Sequence, residues 1–242
     1  MSVRNTIFTA VLATMPFGAL AQTLDEDRVK ELVLEAIREN PQIVIEAVEI
    51  LQQREASAQA QLQAQTLTDQ RMLLEQDPNA PVLGNPEGDV TVVEFFDYNC
   101  PYCRQAMPEV QGMLDADPNV RLVYREWPIL GEGSVFAARA ALASRNQGKY
   151  EEFHWAMMGM TGRAEEASVM RIANEVGLDI DQLLADMESP EVNAHLEESM
   201  RLSQALGFNG TPSFVIGEDL LPGFVEESVL LEVVQKTRDA DQ

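Results

Sequence analysis

The sequence predicts an α/β domain that carries an inserted helical block and follows an N-terminal helical stalk. Three observations predict it. Residues 25–76 show helical periodicity and almost no strand character. Two β-branched and aromatic runs, at 90–96 and 120–127, flank a segment of helical composition. Residues 134–206 then return to helix before a short β-rich run at 213–216. The order is helical stalk, βαβ, helical block, ββα, with no internal repeat.

The first 21 residues read as an export signal outside this fold. Arg4 is their only charge, a mostly apolar run at 7–13 is broken only by Thr9, and Ala19-Leu20-Ala21 forms a small-x-small site. That pattern predicts cleavage before Gln22. The apolar run is short of the roughly 20 residues needed to span a bilayer. An exported chain would work in an oxidising compartment.

In the stalk, Val29, Leu32, Val33, Ala36 and Ile37 form one amphipathic stripe, and Val44, Ala47, Val48 and Leu51 form a second. Pro41 separates them, because the residue before a proline is pushed out of the helical region. From 52 to 66, ten of fifteen residues are Gln or Ala, which favours helix but offers little apolar surface. A linker or exposed stalk helix fits that composition, and Asp77-Pro78-Asn79-Ala80-Pro81 ends it. The expected division is a leader at 1–21, a stalk at 22–76 and a catalytic domain at 77–242, with its insertion at about 131–207.

Within that domain, Asn85-Pro86-Glu87-Gly88-Asp89 is turn chemistry. The run at 90–96 reads as a strand buried on both faces. Ser134 is placed as the cap of a helix to about Arg145, and 149–158 reads as the next helix. Gly177 is expected just past a helix end. Ser189-Pro190 reads as an N-cap followed by Pro at the first helical position, and Gly207 closes that helix. A strand at Ser213–Ile216, another near Leu220-Leu221, and a helix at 226–236 finish the chain.

Composition narrows the function. At 242 residues the chain can bury a sizeable core in one or two domains. Forty acidic residues against 17 Lys and Arg give a formal charge of −23. Such a surface repels nucleic-acid phosphates and anionic membranes. With only two cysteines and two histidines, a disulfide-rich scaffold is excluded, as is any Cys₄ or Cys₂His₂ zinc site built near a second CxxC.

The two cysteines stand together as Cys100-Pro101-Tyr102-Cys103, between a strand and a helix. A CxxC can be half of a metal site or an inert staple, but no second CxxC exists, and a loop this short adds little stability. At a helix start, unpaired N–H groups favour thiolate on Cys100 and make it the exposed nucleophile. Cys103, one turn in, is the shielded resolving thiol. Glu94 sits in an apolar strand six residues before Cys100, where burial would raise its pKa. The cluster His154, Trp155, Met157, Met158 and Met160 has the spacing of core packing or groove lining rather than a metal site.

The motif at 94–103, Glu-Phe-Phe-Asp-Tyr-Asn-Cys-Pro-Tyr-Cys, together with Gly210-Thr211-Pro212-Ser213-Phe214, resembles the DsbA-like branch of the thioredoxin superfamily. The resemblance covers roughly residues 77–240. The stalk is similar to that of the ScsC-type (suppressor of copper sensitivity) sub-branch. The resemblance implies a thioredoxin-like fold and a periplasmic thiol–disulfide oxidoreductase that forms or isomerises client disulfides. It assigns Cys100 and Cys103 as the redox disulfide. Glu94 becomes their proton carrier, and Pro212 a cis-proline facing them. Thr211, Pro101 and Tyr102 would contact the client, with the Thr211 backbone free to pair with an extended segment. Pro108 matches a helix-kinking proline of the superfamily. The pair is its own cofactor, with no metal required. The implied partners are unfolded or misfolded exported proteins, a membrane redox partner that resets the pair, and further copies of the chain through the stalk, as a dimer or trimer.

The strongest oxidants of the family carry His between the cysteines. Here Pro101-Tyr102 brings no positive charge, which leaves Cys100 to rely mainly on the helix terminus and argues for a milder oxidant or an isomerase. The rival from another class is a non-enzymatic copper-handling protein that uses the two thiolates as Cu(I) ligands.

Overall fold

The computed structural model describes residues 25–240. The expected leader lies outside the described residues. The chain divides into two compact units between Ala56 and Ser57.

The first unit contains α1 (Glu26–Glu39) and the start of α2 (Gln42–Gln76). Asp25 caps α1 by accepting the Arg28 N–H at 2.8 Å, and Glu26 and Asp27 place negative charge against the helix N-terminus. The break falls at Pro41 as its chemistry requires: Asn40 leaves the helical region at φ −132°, ψ 70°. No residue of α1 is buried. Val29, Leu32, Val33, Val44, Val48 and Leu51 of the two stripes are all exposed.

The second unit begins inside α2. Helix is what the Gln/Ala-rich composition predicts, but a stalk running to 76 is not what forms. Leu67 and Leu74 are each 1% exposed and pack with Val93, Phe95, Val123 and Val215. Burying a leucine fully is worth about 1.5–3 kcal/mol, which ties the end of α2 to the catalytic unit. These two leucines lie well past the second stripe and belong to neither.

The sheet has the order β1-β3-β2-β4-β5, with β2 (Val90–Phe96) parallel to β3 (Val120–Glu126). The short strand β1 (Val82–Gly84) pairs antiparallel with β3, and β4 (Ser213–Ile216) pairs antiparallel with both β2 and β5 (Asp219–Pro222). This is the thioredoxin-like fold that the resemblance implies. Between β2 and β3 lies α3 (Pro101–Ala116), with Pro108 inside it; α9 (Glu227–Ala240) follows β5. The insertion is α4 (Glu132–Ser144), α5 (Tyr150–Met158), α6 (Glu166–Val176), α7 (Ile180–Asp186) and α8 (Pro190–Ala205).

Strand alternation sorts β2 and β3 between two cores. Val92, Phe96, Leu122 and Tyr124 enter the larger one, with α3, α9 and the insertion; Val93, Phe95 and Val123 enter the smaller one. Helix punctuation holds in several places. Gly177 and Gly207 take positive φ after α6 and α8, and Ser189 accepts the Val192 N–H. Ser134 does not cap α4. Gly131 stands there at φ 112°, and the buried Ser134 hydroxyl accepts from Asn99 instead.

Arg125 points to the smaller core and is fully buried; it donates to Asp77 at 2.6 Å and to the Leu74 carbonyl at 3.3 Å. The end of α2 is thus held by charge as well as by leucines. Asp77→Ala would strand that guanidinium, so urea unfolding should show a loss of about 3–5 kcal/mol with the slope unchanged. An unchanged midpoint would contradict this role.

Candidate active site

The cysteines sit where β2 hands the chain to α3. Asp97 makes the turn: its Oδ1 accepts the Asn99 N–H at 2.7 Å, and the Cys100 N–H returns to the Asp97 carbonyl at 3.0 Å. Cys100 is then the N-cap of α3, Pro101 the first helical residue and Cys103 the third. Two further side chains fasten the turn to the insertion. Asn99 brackets Ala164, donating to its carbonyl at 3.0 Å and accepting its N–H at 2.8 Å. Arg104 donates to the Tyr98 carbonyl at 2.9 Å, to Met160 at 3.0 Å and to Gly162 at 2.6 Å.

The predicted site residues converge. Cys103 is fully buried behind Cys100, and the Thr211–Pro212 bond is cis. Thr211 reaches Cys100 directly: the thiol donates to its carbonyl at 3.1 Å. Glu94, 2% exposed, lies on β2 opposite Tyr124 of β3 and Phe214 of β4. Pro101 and Tyr102 are exposed, Tyr102 at 60%. His154 is buried, with Phe96, Tyr98, Tyr124, Tyr150 and Trp155 around it, and Met157, Met158 and Met160 belong to the core.

Two expectations need correction. Cys100 is not an exposed nucleophile: it is 5% exposed. The Thr211 backbone is also not free while Cys100 is a thiol, since its carbonyl takes the S–H. A thiolate cannot donate, so ionising Cys100 removes that bond.

Proton affinities diverge across the three groups. The Cys100 thiol is held down to about 6, first by the hydrogen bond from Cys103. Burial opposes this; the Thr211 side chain and the N–H groups of Cys103 and Tyr102 add smaller lowering effects. The sequence credits the helix terminus with most of the stabilisation, whereas the neighbouring thiol supplies more. Burial pushes Cys103 well above the ordinary thiol range, helped by its bond to Cys100 and by Glu94. Burial pushes Glu94 up to about 8, and the Cys100 negative charge adds to it. Near neutral pH the reduced site therefore pairs one thiolate with one thiol above a mostly protonated acid.

Sequence reasoning gave no role to Asp97, Asn99, Arg104 or Glu126. The signal for Glu126 was weaker than that for Glu94: it ends a strand run that already carries Arg121 and Arg125, whereas Glu94 is the lone charge in its strand.

Paired cysteines at a helix N-terminus, facing a cis-proline on a sheet of this order, define a thioredoxin-fold protein of the CxxC type. The chain belongs to the DSBA-like thioredoxin domain family, which matches residues 91–235, and residues 25–58 match the copper resistance protein ScsC N-terminal domain. A thioredoxin-like oxidoreductase from Silicibacter pomeroyi DSS-3 is 73% identical, with a TM-score of 0.69 over 70% of this chain and 98% of that one. Proteus mirabilis ScsC in a transitional conformation is 28% identical, with a TM-score of 0.67 over 92% of this chain and 99% of the other. The Na(+)/H(+) antiporter NhaA 1 of Salinispora arenicola (strain CNS-205) is 31% identical over 137 residues, 56% of this chain. This chain spans only 21% of that antiporter's length.

In the reduced protein, ultraviolet thiolate absorbance should show one titration near pH 6, abolished by Cys100→Ser. Removing the Cys100 charge removes a like charge from Glu94, so the same variant should lower the Glu94 pKa below about 8. A first thiolate forming only near pH 9 would contradict the geometry.

Proposed function

We propose that the protein is a periplasmic thiol–disulfide oxidoreductase that forms or isomerises disulfides in exported client proteins. The observation that carries this reading is the Cys100 thiol at the N-terminus of α3, 3.1 Å from the carbonyl of the cis Thr211–Pro212 pair, with the fully buried Cys103 thiol behind it. The exposed Pro101 and Tyr102 flank Cys100, where a client would touch them. The cysteine pair serves as the redox group, and no other cofactor enters the scheme.

The exchange balances as follows. In the reducing direction the Cys100 thiolate attacks a client disulfide; a Cys100–client S–S bond forms and one client thiolate leaves. Cys100 is now uncharged, which removes a cause of Glu94's raised pKa. Glu94 can then give its own proton to solvent and, as a carboxylate, accept the Cys103 proton. Cys103 attacks the Cys100 sulfur and expels the second client thiolate, so the client gains two electrons and the pair loses them. Run backwards, the same steps oxidise a client. In isomerisation a client thiolate displaces Cys100 before Cys103 acts.

The stalk supports assembly as a dimer or trimer. Its stripes, at Val29, Leu32, Val33, Val44, Val48 and Leu51, are exposed apolar side chains, and an isolated helix as short as α1 is marginal in water. Several CxxC sites in one particle would suit isomerisation, where more than one bond is broken and remade. A membrane partner would reset the pair. The ScsC N-terminal match covers the helices and not the cysteines, so it lends the copper-handling alternative no support.

Cys103→Ser should accumulate client adducts on Cys100, seen by mass spectrometry of protein isolated from its own compartment. Glu94→Gln should fold normally and slow exchange near neutral pH. Finding no adduct on Cys100 would overturn the mechanism.

Removing the residues before Ser57 should give a monomer that still exchanges thiols but refolds scrambled substrates poorly. Light scattering that finds the longer protein monomeric at micromolar concentration would contradict the role of the stalk.

A further inference from the structure

The exchange scheme leaves one buried acid unused. Glu126 ends β3, is fully buried, and pairs in register with Phe96, so it shares a sheet face with Glu94 and Tyr124. Its Oε1 accepts from the Tyr150 hydroxyl at 2.8 Å and from the Tyr98 hydroxyl at 3.4 Å. The Tyr98 hydroxyl also meets His154 Nδ1 at 3.0 Å. Glu126 Oε2 and His154 Nε2 have no hydrogen-bond partner, although both are buried. Apolar side chains would serve better if packing were the cluster's only duty, since buried polar atoms without partners cost stability.

What the cluster touches gives it a duty. Tyr98, 1% exposed, lies two residues before Cys100 in the turn that delivers it. The same residue's carbonyl takes the Arg104 guanidinium, and Arg104 reaches on to Met160 and Gly162. Glu126 thus ties the end of β3 to the turn before the CxxC and to Tyr150 of α5, and the Tyr98 hydroxyl joins the same turn to His154 of α5.

We propose that Glu126 is a positioning residue for thiol exchange, which anchors Tyr98 and so fixes the turn on which Cys100 stands. The role rests on the thiol-exchange reading of the site. Burial raises its pKa well above the carboxyl range, against the Tyr150 and Tyr98 hydrogen bonds, which lower it. Among the groups near it, burial pushes His154 down to about 3 and pushes Tyr98, Tyr124 and Tyr150 up. Glutamine keeps an acceptor oxygen for the two hydroxyls and should therefore replace it.

Four variants of the full chain test this, read by the Cys100 thiolate midpoint, the rate of exchange with a small disulfide, and far-ultraviolet dichroism. Glu126→Gln should keep the midpoint near pH 6 and the wild-type rate. Tyr98→Phe and Glu126→Leu should each raise the midpoint and slow exchange several-fold. Because both act through the same hydroxyl, the double variant should be no slower than the worse single one. If Glu126→Leu does not fold, Tyr98→Phe decides alone. A folded Tyr98→Phe protein with unchanged midpoint and rate, or losses that simply multiply in the double variant, would overturn the proposal. If the wild-type protein exchanges no thiols, the proposed activity fails, and the midpoint still reports whether Glu126 positions Cys100.

Discussion

Both oxygens of one buried side chain, Asp97, receive backbone N–H groups from two segments that are far apart in sequence. Oδ1 takes Asn99 at 2.7 Å; Oδ2 takes Ile129 at 2.8 Å and Leu130 at 2.9 Å. The first bond shapes the turn that ends β2, and the other two bind that turn to the loop after β3. Because β2 and β3 are parallel, both segments leave the sheet at the same edge, and a single short side chain can join them. Asn99 and Arg104 then extend the attachment to the loop at 160–164. The position of Cys100 at the start of α3, and its distance to Thr211, follow from that joint. Removing it would leave three part-buried N–H groups without this acceptor, which is costlier than losing fully exposed ones.

The chemistry follows from the unequal surroundings of three neighbouring groups. Cys100 receives hydrogen bonds that favour its charge, whereas Cys103 and Glu94 lie deeper and favour neutral forms. Proton flow therefore has a direction. In the proposed exchange the charge would stay on Cys100 until a disulfide forms there, and Glu94 would then become a usable base. The Thr211 carbonyl takes the S–H only while Cys100 carries its proton, so it is released earlier, when the thiolate forms.

Much of this was legible in the sequence because it depends on local chemistry. Proline at 41, glycine at 177 and 207, and Ser189-Pro190 act through their own backbone preferences, and the helix ends fall where those predict. The CxxC, Glu94 and the Thr-Pro pair were legible as a constellation, two of them within ten residues. What escaped depends on tertiary partners. Strand β1 is three residues long and exists because β3 offers a free edge. Ser134 looked like a cap, but it is committed to Asn99, thirty-five residues upstream. The boundary inside α2 depends on Leu67 and Leu74, which meet the sheet outside any stripe. The burial of Cys100 and its bond to Thr211 need the β4 loop brought across the chain, which no spacing reveals.

Equilibration with glutathione gives the reduction potential of the Cys100–Cys103 pair, and that potential reads out how far the site favours the Cys100 thiolate. A thiolate stabilised at about pH 6 stabilises the reduced form and makes the disulfide a better oxidant. Without a positive charge between the cysteines, it should fall short of the strongest oxidants of the family. The account predicts a potential between about −270 mV, as for thioredoxin, and about −120 mV, as for DsbA. A value at or below about −270 mV, or a pair that does not equilibrate with glutathione at all, would contradict it.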